Sequence, residues 1–327
     1  MLPTFQDTVD CNAVFERDPE AMLQAATWTY TYSNISEEPF WNKIHADYNK
    51  CATISKYFGF AQSPLSDEEN YFPFAYVIDA IESFTQMYFM LGAIYQPQNI
   101  YCITVDGTSS LVFQKAMSLL ADCFQNIFII QTPSSRVYSF QKVRSIFSCL
   151  KFLVQNDHRW KQVLFMNGED FPLKTNLEMV RIFKQLDEVF MVDIEPFNTS
   201  LIPLKYKHKK PPVPLWKSNI AATFSRESAD FMFKNPKFWE LYDYLKLIER
   251  PEDGLWGSLA GNPGDINIPG GFNAAEFWEE IKLSIEKVYK PLAYKVKIPT
   301  SDDPFPLYSY YIMRVKVKWL MENAYLV

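Results

Sequence analysis

Five short apolar runs, separated by segments long enough to be helices, constrain this chain more than any other feature. They are "FAYVI" (74–78), "IYCITV" (100–105), "IFII" (127–130), "VLFM" (163–166) and "VFMV" (189–192). Runs of this length without polar interruption suit strands buried on both faces. Between them lie amphipathic segments such as "SLVFQKAMSLLADCF" and "SFQKVRSIFSCLKFLVQN". This βαβαβ alternation predicts an α/β fold, a parallel sheet with helices on both faces. Residues 1–71 read as a mostly helical, irregular lead-in that closes on "QSPLSDEENY". After the fourth run, "TNLE" is a capping box, with Thr175 as N-cap and Glu178 at the third helical position. That places the loop "GEDFPLK" outside the carboxyl end of a strand, where open α/β sheets hold ligands.

Charge and motif content exclude several functions. With a net charge of −6, the chain lacks the basic surface that a nucleic-acid backbone requires. Its one dense basic run, Lys205 to Lys210, reads as a solvated loop before "PPVP". The most apolar stretch, "FPFAYVIDAIESFTQMYFMLGAIY", is broken by Asp79 and Glu82 and does not read as a membrane span. The first residues show neither a basic n-region nor an apolar h-region. Dinucleotide and ATP phosphate loops are absent, as is a GxSxG elbow. The histidines (His45, His158, His208) are scattered, and His158 reads as part of a polar turn. Five cysteines without CxxC spacing argue against zinc and allow at most two internal disulfides. Sequons at Asn34 and Asn198 fit a secretory protein. The compartment stays open at this level.

Acids at three places in the chain could carry chemistry. Asp106 ends the second strand, where it could bind a ribose or base, or simply close a turn with Gly107. Asp193 and Glu195 form a D-x-E after the fifth run, a loose match to a metal-binding pair; ordinary acids after a strand are the favoured reading. In "RPEDGLW", Pro251 ends the helical stretch "PKFWELYDYLKLIER". Glu252 and Asp253 then begin the next segment, where a helix dipole favours acids. By pattern alone, catalysis is the minority reading there.

The runs "FPFAYVI", "YQPQNIYCITVD", "DCFQNIFI", "RVYSFQKVR", "NGEDFPLKTNLEMVR" and "RPEDGLW" occur in one order across roughly residues 45–260. Together they resemble the core 2/I-branching β-1,6-N-acetylglucosaminyltransferases, and "PGGF" looks like the nematode branch. The resemblance implies a glycosyltransferase A-type, Rossmann-like three-layer sandwich. It implies inverting, metal-independent transfer of GlcNAc from UDP-GlcNAc to the hydroxyl of an O-glycan or related acceptor, with no cofactor. A base for the acceptor hydroxyl and positive charge opposite the departing diphosphate are then needed. By motif, Pro251 and Trp256 frame the family's base and put Asp253 at its position, with Glu252 as neighbour. Asp106 and Tyr138 correspond to nucleotide-pocket residues, and Arg314 is the candidate diphosphate cation, with Lys316 and Lys318 nearby.

The resemblance also pairs Cys51 with Cys123 and Cys102 with Cys149, and matches Cys11 to a cysteine whose partner is not in this chain. It divides the chain into a stem-like region (1–71), a catalytic domain (72–260) and a shortened, divergent C-terminal region (261–327). A type II membrane protein of the Golgi lumen is expected, although this chain shows no anchor. Two departures, Asp for Glu at the base and a tail without the family's "CVFG" and "ANKF" runs, motivate an alternative: a transferase-like protein that binds nucleotide or glycan without turnover.

Overall fold

The computed structural model describes residues 13, 16, 18–27, 37–133, 139–157, 159–168, 170, 172–186 and 189–280. Cys11, Asn34, Tyr138, His158 and Arg314, all singled out in the sequence, lie outside them, as do Lys316 and Lys318. Contacts divide the chain into two units, residues 1–46 and 47–327. The first holds helices α1 (Pro19–Thr27) and α2 (Glu37–Ala46). Asp18 opens α1 by accepting from the amides of Glu20 and Ala21 at 3.1 and 2.9 Å, which satisfies donors that a helix start leaves unpaired.

The second unit begins with α3 (Lys50–Phe58) and the single turn α4 (Asp67–Asn70). Strands β1 (Phe74–Asp79), β2 (Ile100–Asp106), β3 (Ile127–Thr132) and β4 (Gln162–Asn167) follow. Helices α5 (Phe84–Ile94), α6 (Leu111–Cys123) and α7 (Phe140–Asn156) connect them in that order. The sheet order is β3-β2-β1-β4, all parallel. Four of the five predicted strands therefore form as read. The capping box also forms. Thr175 N–H donates to Glu178 Oε2 at 2.9 Å, and Glu178 N–H returns a bond to Thr175 Oγ1 at 3.2 Å. They open α8 (Asn176–Leu186).

The fifth predicted strand does not join the parallel sheet. The outer edge of β4 is taken instead by Thr223–Ser225, running antiparallel. Residues 189–192 pass outside it, with a single antiparallel bridge between Met191 and Thr223. Phe190 N–H donates to Gly270 O at 2.9 Å. "VFMV" is apolar because Phe190 is buried against Phe224 and Trp256, and burial alone does not distinguish a strand from another extended core segment. In the labels used below, the short ribbon Glu195–Pro196 with Trp216–Lys217 supplies β5 and β6, and Thr223–Ser225 is β7.

Strand alternation sends neighbouring side chains to opposite faces. On one face Ala75, Val77, Ile100 and Cys102 pack with Val143, Ile146, Phe147 and Leu150 of α7. On the other, the rings of Tyr76 and Tyr101 stack at 5.0 Å, and Tyr101 Oη donates to Ile94 O at the end of α5. The unit is a three-layer α/β sandwich with a mixed sheet, as the resemblance implied. Both implied disulfides form: Cys51–Cys123 joins α3 to α6, and Cys102–Cys149 joins β2 to α7.

Candidate active site

The carboxyl edge of the sheet gathers polar groups. Asp79, the last residue of β1, accepts from Thr104 Oγ1 at 2.9 Å and pairs with Lys142 Nζ at 3.2 Å. Lys142 stands in the first turn of α7. At the end of β4, Asp170 Oδ2 accepts from Asn167 N–H at 2.7 Å, which folds the loop back on the strand. Gly168 between them donates its amide to Asp79 O at 2.9 Å. A Cβ there would lie 2.7 Å from Met87 Sδ and 2.9 Å from the backbone nitrogen of Ile81, so only glycine allows the loop this close. Asp79, Lys142, Asn167, Asp170 and Asn219 line a cleft of about 200 Å³, whose apolar part includes Val77, Ile146 and Phe165.

The turn that carries the acids of "RPEDGLW" is tied by its backbone to the segment after β6, which runs into the cleft at Asn219. The preceding helix, Pro236–Leu245, stops well before Pro251, contrary to the expectation that proline ends it. Pro251 instead opens the 3-10 turn Pro251–Gly254, where its fixed φ and missing donor are tolerated. Trp256 fixes this turn to the core. Its indole lies 5.0 Å from Phe165, 5.3 Å from Phe224 and 5.6 Å from Phe147, and Nε1–H donates to Ile220 O at 2.8 Å. Ser218 N–H donates to Asp253 O at 2.8 Å, and Ser218 Oγ accepts from Gly257 N–H at 3.0 Å. The flanking residues Lys217 and Asn219 face, respectively, Glu195 at 2.7 Å and the cleft. Three consecutive residues thus join the acidic turn, the ribbon and the cleft.

Glu252 and Asp253 are 6% and 7% exposed. Burial raises both carboxyl pKa values. For Glu252 the neighbouring charge of Asp253 adds to it, while Lys142 and Arg250 oppose it. For Asp253, Arg250 and then Lys217 oppose it, and Glu195 adds to it. Arg250 Nε lies 3.0 Å from Asp253 Oδ2. Asp193 is also pushed up by burial, although its Oδ1 accepts from Asn219 N–H at 2.6 Å.

The other sequence candidates are placed as follows. Asp106 ends β2, and its Oδ1 accepts from Thr108 N–H at 2.8 Å and Thr108 Oγ1 at 2.6 Å. Oδ1 therefore braces the turn, and the end of β2 is also where a ribose or base would be held. The D-x-E carboxylates engage protein donors: Glu195 binds Lys217 and Asp193 the Asn219 amide. Asn198 is exposed and caps the 3-10 turn Thr199–Leu201 through Ser200 N–H at 3.0 Å. Sequence reasoning missed Asp79, Lys142, Asn219 and Arg250. Asp79 had a usable signal, as an acid ending an apolar strand; the others had none.

Fold and site together define an α/β protein with a polar, partly acidic centre at the carboxyl edge of a mostly parallel sheet. The family model for the Core-2/I-branching enzymes matches residues 74–272, and the chain belongs to that family. It is 31% identical over 280 residues to the human beta-1,3-galactosyl-O-glycosyl-glycoprotein beta-1,6-N-acetylglucosaminyltransferase 3, covering 77% of this chain and 62% of the relative. The sheep (Ovis aries) protein of the same name is 31% identical over 277 residues, covering 78% and 62%. So is a beta-1,3-galactosyl-O-glycosyl-glycoprotein beta-1,6-N-acetylglucosaminyltransferase of bovine herpesvirus 4 (strain DN-599) over 289 residues, with the same coverage. The chain thus spans 62% of the length of these curated relatives.

Proposed function

We propose that this protein transfers GlcNAc from UDP-GlcNAc to a hydroxyl of an O-glycan or related glycan, forming a β-1,6 branch with inversion. The observation that supports this reading is a pair of buried carboxyls, Glu252 and Asp253, on a turn whose backbone is bonded to Ser218, the chain neighbour of the cleft residue Asn219. That the relatives are beta-1,6-N-acetylglucosaminyltransferases by name supports the reaction class. The cleft mixes carboxylates, amides and one lysine, a lining suited to the hydroxyls of a neutral sugar.

In this mechanism Asp253 takes the proton of the acceptor hydroxyl as its oxygen attacks the anomeric carbon. The bond from that carbon to the UDP oxygen breaks on the opposite face, and the diphosphate leaves with the electron pair. Lys142 in the cleft supplies positive charge from this part of the chain, and Arg314 is the proposed partner for the diphosphate. Asp106 and Tyr138 would hold the nucleotide. No metal or cofactor is invoked, because the D-x-E carboxylates already bind a lysine and a backbone amide. Two disulfides support an oxidising compartment, with the Golgi lumen as the proposed site. Among the described residues no helix is long and apolar enough to cross a membrane, so the proposed type II anchor has no counterpart there. The alternative of binding without turnover has no observation in its favour among the described residues.

Purified protein, UDP-GlcNAc and a panel of O-glycan acceptors test the reading. A β-1,6 product is expected, and Asp253→Asn should reduce its rate by about 100-fold or more. Absence of product across a broad panel would overturn the assignment.

A further inference from the structure

We propose that Arg250 is a positioning residue for Asp253, gripping its carboxylate so that the shorter acid is held in place as the base. This rests on the reading of Asp253 given above. The contact is side-on: Arg250 Nε lies 3.0 Å from Oδ2, and Nη2 lies 3.4 Å from Oδ1. The guanidinium thus lies along both oxygens, with a hydrogen bond from Nη2 to Oδ1 and an ion contact from Nε to Oδ2, an approach along one plane that a lysine ammonium does not reproduce. The local fold explains the encounter. Arg250 is the N-cap of the 3-10 turn and Asp253 stands three residues on, with Asp253 N–H donating to Arg250 O at 3.1 Å. A 3-10 helix has three residues per turn, so these side chains lie one above the other.

The pair is asymmetric in a useful way. The arginine side chain is 40% exposed and the aspartate 10%, so the cation keeps its hydration while the carboxylate is held below the surface. Each carboxylate oxygen has two acceptor sites; the arginine donates a hydrogen bond to Oδ1 and sets its charge beside Oδ2. Among the described residues Oδ2 accepts no hydrogen bond from the protein and keeps its acceptor sites for an incoming hydroxyl. Charged groups from every side bear on Asp253. Glu252 lies on the same turn, and Glu195 and Lys217 face it from the β5–β6 ribbon. Lys142 from α7 acts on Glu252. Lys217 Nζ is itself bonded to Glu195 at 2.7 Å, whereas Arg250 touches both Asp253 oxygens. The resemblance implies a glutamate at this position, and aspartate falls one methylene short. Misplacement by about 1 Å can cost on the order of 100-fold in rate, so a residue that fixes the aim of the shorter side chain has a direct kinetic effect.

The test compares Arg250→Gln and Arg250→Lys with wild type, following kcat, KM for UDP-GlcNAc and the pH profile of kcat/KM. A 13C NMR titration of the Asp253 carboxyl in the sugar-free protein adds a readout independent of turnover. For Arg250→Gln we expect kcat to fall by roughly tenfold or more with KM within about twofold, as loss of aim predicts. The acid limb and the NMR titration of Asp253 should both move to higher pH, since the carboxylate loses its cation. Arg250→Lys should restore much of the titration and only part of kcat. An unmoved titration and acid limb in Arg250→Gln would overturn the proposal. If Asp253→Asn is inactive while Arg250→Gln behaves as wild type, the positioning role fails and the base assignment stands. Should Asp253→Asn keep full activity, the base assignment itself fails, and the Arg250 role with it. If Arg250→Gln does not fold, Arg250→Lys decides: reduced kcat with a near-normal titration supports the fork, and unchanged kcat overturns it.

Discussion

Glu252 and Asp253 keep ionisable groups in a place that disfavours their charge. Burial raises both pKa values, the largest cause in each case. A carboxyl whose folded pKa lies above its unfolded one binds more protons in the native state through that window. Stability therefore falls as pH rises through it, and the cost is fully present above the folded pKa. Among the described residues Glu252 Oε2 has no hydrogen-bond partner. We expect Glu252→Gln to raise Tm by a few degrees at pH 7 and to leave it unchanged at pH 3; calorimetry at the two pH values checks this. A gain equal at both would mean that the charge is not the cause. Asp253 was legible as a candidate only through the resemblance, in which Pro251 and Trp256 frame the base position. Its partner Arg250 was not, since a turn read as an ordinary helix start places i and i+3 side by side less closely than the 3-10 turn that forms.

Local chemistry at the scale of elements was readable where it repeats at short range. The Thr175–Glu178 box opens its helix with both reciprocal bonds. Thr175→Ala should cost about 1 kcal/mol, seen as a drop in Tm of roughly 2–4 °C with little change in transfer rate. An unchanged Tm would show that the cap contributes nothing. Gly168 is the contrasting case. Its need follows from Met87 and Ile81, which belong to other elements, so nothing adjacent in the chain announces it. The segment 189–192 failed for a related reason: its apolar residues serve the core around Trp256, but its backbone pairs with Thr223 and Gly270.

Two disulfides tie distant parts of the second unit, with Cys51–Cys123 separated by 72 residues and Cys102–Cys149 by 47. Loop-closure entropy suggests about 4 kcal/mol for each. Replacing Cys102 and Cys149 together by alanine should lower the urea midpoint by a corresponding amount, with a further loss because both sulfurs are buried in the core. An unchanged midpoint would count against a structural role. The segment after the expected boundary at residue 260 also belongs to this core. Ile266 and Ile268 pack with Trp256 and Leu259, and Phe272 N–H donates to Ala260 O at 2.8 Å.

By itself the sequence determined the strands β1 to β4, their parallel order of connection and the capped helix beside the ligand-bearing loop. These follow from burial period and end chemistry, both written within a few residues. The disulfide pairing was legible only through the resemblance, because five cysteines admit several pairings. Tertiary structure alone decided the antiparallel edge at Thr223–Ser225, the Asp79–Lys142 pair and the route from Asp253 through Ser218 to the cleft. Contacts between segments far apart in the chain depend on complementary surfaces meeting in space, and such complementarity leaves no period in the sequence.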